Sequence, residues 1–127
     1  ESAAATRVVG TRNWSIEFAT GSAEFTPATM ATLNSLRDQL LVASGTYVDI
    51  HGHTDNVGDP VFNQQLSLAR AQAVANWLRS QSSLSFSEGR VHAYGHGSDI
   101  PVDPSADNNS SAARARNRRV NIELRAQ

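Results

Sequence analysis

A two-layer α+β domain is the fold class that this 127-residue sequence predicts, with helices packed on a mixed four-stranded sheet in the order β-α-β-α-β-(α)-β. Three observations carry the prediction. Four short runs alternate apolar and polar residues with the period of a strand. Two longer runs, each opened by a capping residue and a proline, repeat with the period of a helix. The third is composition: 39% hydrophobic and 18% charged residues suit a globular core. A chain of this length buries roughly two-thirds of its unfolded surface as one domain.

Residues 1–12, beginning ESAAAT, read as a leading segment or linker, and residues 13–127 as the domain. The first strand is expected at NWSIEFA, Asn13 to Ala19, with Trp14, Ile16 and Phe18 on one face. After the loop TGSAEF, Thr26 and Pro27 supply an N-cap hydroxyl and a proline at the first helical position. Met30, Leu33, Leu36 and Leu40 then recur at helical spacing, and Gly45 ends the segment. TYVDIHG is the second strand, with Val48 and Ile50 facing one way and Tyr47, Asp49 and His51 the other. Asp59 and Pro60 repeat the cap and open the longest helix, about Val61 to Arg79, with Phe62, Leu66, Ala69, Ala73 and Trp77 as its expected apolar stripe. RVHAYG is the third strand. A polar loop, HGSDIPVDPSADNNSS, leads to a short helix through SAARAR, and RVNIELR closes as the fourth strand with Val120, Ile122 and Leu124 inward. Strand order does not follow from the sequence.

Composition excludes several functions. The formal net charge is −1, so no overall field draws nucleic acid. The absence of cysteine excludes disulfides and thiolate catalysis. No run approaches the ~20 apolar residues of a membrane span, and no charged-then-apolar leader opens the chain. Contact with a membrane is therefore expected through parts outside this chain. All eleven basic residues are arginines, whose planar forks suit carboxylates and phosphates.

The stretch DIHGHTDNVGDP places His51, His53 and Asp55 on alternate positions, the spacing with which some zinc hydrolases begin their ligand set. Asn56 stands where that motif would continue, and the chain is about half the length such folds need. A zinc hydrolase using His51 and His53 is thus the lesser reading, and no metal or cofactor is expected. There is no G-x-S-x-G elbow and no phosphate-binding glycine loop.

Asn63, Ser67 and Arg70, spaced four and three apart, share one stripe of the second helix beside Thr54 and Asp55. Asp55 could take an ammonium and Arg70 a carboxylate, with Asn63 orienting both, so the set complements a zwitterion. The same spacing also allows an internal Asp55–Arg70 salt bridge with Asn63 capping a turn.

Four segments, VDIHGHTDNVG, NQQLSLARAQAVANWL, RVHAYGHG and ARNRRVNIEL, resemble in order and spacing the OmpA-like C-terminal domain. That family includes peptidoglycan-associated lipoproteins and flagellar stator subunits of the MotB type. The resemblance covers about Trp14 to Leu124. It implies a β-α-β-α-β-β fold, no enzymatic activity, and non-covalent binding of the peptidoglycan stem peptide through meso-diaminopimelate. The gripping aspartate and arginine fall on Asp55 and Arg70, the asparagine on Asn63, and the first arginine of NRRV on Arg118, with Thr54 beside Asp55. It further implies the periplasm of the bacterial envelope, with attachment to the outer membrane. The alternative is a docking module of the same fold without the ligand. Oligomeric state is left open, a homodimer included.

Overall fold

The computed structural model describes residues 8–19, 21–43, 45–100 and 110–126. The elements run β1 (Val8–Glu17), α1 (Pro27–Val42), β2 (Thr46–Gly52), α2 (Pro60–Gln81), β3 (Val91–Gly95), α3 (Ser111–Asn117) and β4 (Arg119–Ala126). They form the α+β arrangement that the alternation predicts. The four strands make one mixed sheet in the order β1-β4-β2-β3. Strand β4 is antiparallel to both neighbours, and β2 and β3 are parallel. A parallel pair needs a crossover, which α2 supplies.

The first strand begins five residues earlier than the alternation suggests. Val8 to Arg12, expected in the leading segment, pair with β4. Register shifts between Val8 and Gly10 and between Arg12 and Ile16 interrupt the ladder there. Such bulges break the period-two pattern from which the strand was read. Residues 1–7, and 101–109 of the expected polar loop, lie outside the described residues.

Both long helices start where their caps place them. The Thr26 hydroxyl accepts from the Thr29 amide and the Asp59 carboxylate from the Phe62 amide, each followed by proline. Helix α1 buries Leu33, Leu36 and Leu40 against Val48 and Ile50 of β2 and Val120 and Ile122 of β4, with Val74, Leu78 and Phe86 completing the core. In α2 the stripe differs from expectation. Asn63, Ser67, Arg70, Ala71, Val74, Ala75 and Leu78 face inward, whereas Phe62 is 52% exposed. The large apolar residues suggested a stripe one position away. The inward face is instead polar over the first half of the helix, because that half meets strand ends and turns with unpaired backbone groups.

Two glycines set the height of α2 over the sheet. Gly52 and Gly95 are register partners at the ends of β2 and β3. A Cβ on Gly52 would stand 1.9 Å from the Ser67 carbonyl oxygen, and one on Gly95 2.7 Å from the Leu68 amide nitrogen. Their bare backbones let the helix descend until the Ser67 hydroxyl reaches the Gly97 amide at 2.9 Å. The polar residues of α2 are thereby carried under the strand ends.

Candidate functional site

Beyond Gly52 the chain enters a turn held at both sides. The His53 amide donates to the Arg119 carbonyl at 2.8 Å and the Thr54 amide to the Gly97 carbonyl at 2.8 Å. Asp55 closes the turn on itself, with Oδ1 accepting from the Val57 amide at 3.0 Å. Gly58 takes φ 97°, a left-handed conformation that glycine adopts without strain. Asn63 reaches back from α2, donating to the carbonyls of Val57 at 3.1 Å and Asp55 at 3.5 Å, and the Thr54 hydroxyl donates to the Asp55 carbonyl at 2.9 Å. Thr54 and Asn63 therefore shape the turn that presents Asp55.

The two arginines divide their work differently from the pairing that spacing allowed. Asp55 Oδ2 pairs with Arg118 Nη1 at 2.9 Å. Arg118 is anchored in turn by its Nε on the Phe18 carbonyl at 2.9 Å. Arg70 is wholly buried, and its donors go to backbone: Nε to the Ser22 carbonyl at 2.8 Å, Nη1 to His53 at 3.0 Å and Nη2 to Ala19 at 2.9 Å. Its guanidinium also lies over the Phe18 ring, 5.1 Å from the centroid. The internal Asp55–Arg70 bridge is thus replaced by an Asp55–Arg118 bridge. Arg70 needs no carboxylate because three carbonyls from two separate loops already converge on it. Burial and the neighbouring Arg118 push its pKa down to about 10, partly offset by Asp55, which leaves it cationic at neutral pH.

These groups floor a cleft of about 220 Å³. All five residues singled out in the sequence, Thr54, Asp55, Asn63, Arg70 and Arg118, line it. So do Gly21, Val57, Gly58, Phe62 and Leu66, which the sequence reading did not select. Helical spacing alone assigns Phe62 and Leu66 to the apolar stripe. Their position in the first turns of a helix that opens on a capped, glycine-containing turn was the available signal. With Asp55 ionised and both arginines charged, the floor carries a net single positive charge. It can accept an anionic group and, at Asp55, a cationic one.

His51, His53 and Asp55 do not converge as a ligand set. Asp55 is taken by Arg118 and the Val57 amide. His51 Nδ1 meets His96 Nε2 at 2.7 Å. His53 is buried, stacked 5.1 Å from the His96 ring, with its Nδ1 lacking a hydrogen-bond partner among the described residues. Burial, followed by the charges of Arg119, His96 and His51, pushes the His53 pKa down to about 3. An acid-sensitivity follows from the sign of that shift. The unfolded chain takes up this proton near pH 6.5 and the folded chain only near pH 3, so the contribution is whole above pH 6.5 and falls as the pH drops through that window. The expected loss is about 2 kcal/mol by roughly pH 5. Urea denaturation across that range should show it, and His53→Gln should flatten the slope.

The chain has relatives among known proteins. The OmpA family matches residues 17–118. The chain is 39% identical over 97 residues to outer membrane porin F of Pseudomonas aeruginosa, covering 76% of this chain and 26% of that protein. It is 36% identical over 107 residues to the peptidoglycan-binding protein ArfA of Mycobacterium tuberculosis, covering 84% of this chain and 31% of that one. This chain therefore spans about a quarter to a third of these relatives' length. Among solved structures, the cell wall anchor of the T6SS from Pseudomonas aeruginosa is 36% identical with a TM-score of 0.69, covering 87% of this chain and 75% of that one. The peptidoglycan-associated lipoprotein of Burkholderia pseudomallei is 27% identical with a TM-score of 0.73, covering 87% and 89%.

Proposed function

The chain belongs to the OmpA family, a family of non-enzymatic envelope domains, and from that premise we propose that its cleft binds peptidoglycan through the meso-diaminopimelate of the stem peptide. The observation that carries the proposal is the buried Asp55–Arg118 pair beside the buried Arg70 guanidinium, at the floor of a cleft of about 220 Å³. Diaminopimelate ends in an ammonium and a carboxylate. Asp55 keeps lone pairs free after meeting Arg118 and the Val57 amide, and these accept the ammonium. The carboxylate goes to the excess positive charge, with Arg118 as donor and the buried Arg70 guanidinium adding its charge from beneath. Thr54 and Asn63 hold the turn that fixes Asp55. Such a domain would act in the periplasm, tethering an envelope protein to the wall. Outer-membrane attachment is part of the same proposal, because relatives are outer-membrane proteins.

The test is calorimetric titration with a diaminopimelate-containing stem peptide. Asp55→Asn keeps an oxygen for the Val57 amide while removing the charge, so the turn survives. Loss of one partner of a desolvated charge pair is expected to weaken binding by about 2–5 kcal/mol, roughly 30-fold to several thousand-fold. A lysine-containing peptide, lacking the terminal carboxylate, should bind more weakly than its diaminopimelate counterpart. Absence of heat from folded wild type would reject the proposal in favour of a ligand-free docking module.

A further inference from the structure

The sheet face turned away from the core holds a second cluster, outside the cleft. Asp49 of β2 and Glu123 of β4 are direct cross-strand partners, and His51 follows two residues on, so all three side chains stand on that face. We propose that Asp49, His51 and Glu123 bind a first-row transition-metal dication such as Zn²⁺. One donor atom from each lies within 4.8 Å of the others. Ligand atoms around such an ion sit roughly 2.0–2.2 Å from it, so small side-chain rotations close the set.

Charge balance leaves room for a cation. Like charges directly opposite one another on a sheet destabilise the pairing. Here two carboxylates face each other, and among the described residues Arg125 is the full cation in contact, gripping both oxygens of Asp49. These three groups together keep one net negative charge. Histidine geometry is compatible with such an ion. His51 Nδ1 and His96 Nε2 share one proton across 2.7 Å. With that proton on His96, His51 Nε2 carries a hydrogen toward Glu123 Oε1, 3.5 Å away; with it on His51, the Nε2 lone pair is open to a metal. Metal binding selects the second arrangement, and His96 becomes the outer partner that orients a ligating histidine. Arg125 orients the Asp49 carboxylate in the same way. The His51 and Glu123 side chains are 24% and 32% exposed, which leaves an approach from solvent and room for a water as fourth ligand. An imidazole with two carboxylates favours zinc-like ions over Ca²⁺ or Mg²⁺, which take oxygen donors. His92, with its Nδ1 3.4 Å from Asp49 Oδ1 and its ring stacked on Tyr47, stays an outer neighbour.

Calorimetric titration of ZnCl₂ into the chelator-treated chain tests the site. Wild type should bind one Zn²⁺ saturably and give no comparable signal with CaCl₂. His51→Ala and Glu123→Gln should each weaken binding at least about tenfold, while His92→Ala leaves it unchanged. Glu123→Gln preserves side-chain shape and guards against a loss caused by misfolding. No saturable binding by folded wild type overturns the proposal. So does binding that survives both His51→Ala and Glu123→Gln, or that disappears in His92→Ala.

Discussion

Arg70→Leu is expected to lower the unfolding free energy by about 3–5 kcal/mol, because three carbonyls lose a charged donor at once. Arg70 is fully buried and holds three carbonyls, those of Ala19 and Ser22 in the loop after β1 and that of His53 in the turn after β2. Leucine fills part of the volume but donates nothing; the buried His53 carbonyl left unmet costs about 1–3 kcal/mol, and the part-buried carbonyls of Ala19 and Ser22 add a smaller share. With domain stabilities of about 5–15 kcal/mol, that is a large fraction of the total. Lysine should recover only part of the loss, because one ammonium cannot replicate a planar fork aimed at separate loops. Urea denaturation with an unchanged slope is the measurement. A loss under about 1 kcal/mol would show that water replaces the guanidinium freely and that Arg70 is not a staple. Arg118→Leu provides the contrast: its side chain is 17% exposed, and among the described residues it meets the Asp55 carboxylate and the Phe18 carbonyl, so water can substitute more readily.

Gly52→Ala should be nearly as damaging, for a steric reason. The added methyl would meet the Ser67 carbonyl oxygen at 1.9 Å, and that atom is helical backbone which no rotamer change can move. Helix α2 must lift from the sheet or β2 must bend. Overpacking of this kind costs about 3 kcal/mol or somewhat more, which corresponds to roughly 10 °C in melting temperature for a domain of this size. Because Asn63 and Arg70 ride on the same helix, the affinity of the cleft should fall together with stability. Gly95→Ala presses on the neighbouring turn of α2, with contacts of 2.7 and 2.8 Å to Leu68 and Ser67. The two substitutions share one displacement, so the double variant should cost less than the sum of the singles.

How far the sequence could be read depended on whether each feature was local. Strands β2 and β4 alternate cleanly because one face of each meets the core, so Val48, Ile50, Val120 and Ile122 were legible as inward. The caps Thr26 and Asp59 are local chemistry and stand where they were expected. The start of β1 was obscured by its bulges. The inward face of α2 was misread because hydrophobicity is a poor guide where a helix packs on unpaired backbone, and there Asn63, Ser67 and Arg70 are the buried residues. Asp55, Asn63 and Arg70 could be grouped by helical spacing. Arg118, 63 residues from the carboxylate it pairs with, entered only through the resemblance to a family. The exchange of partners between Arg70 and Arg118 depends on where the carbonyls of Ala19 and Ser22 lie, which no local pattern encodes.

The position of β4 has a consequence for how the chain matures. It is the last strand made, yet it lies second in the sheet, between β1 and β2. Until it inserts, β1 has no ladder partner, and Asp55 lacks the arginine that precedes β4 by one residue. A chain emerging from a ribosome or a translocation channel with its amino end first can form the α2 crossover between β2 and β3 early, but it cannot complete the cleft. Closing these distant contacts is the slow, entropically demanding step. The cleft is therefore completed all at once, after β4 has been delivered.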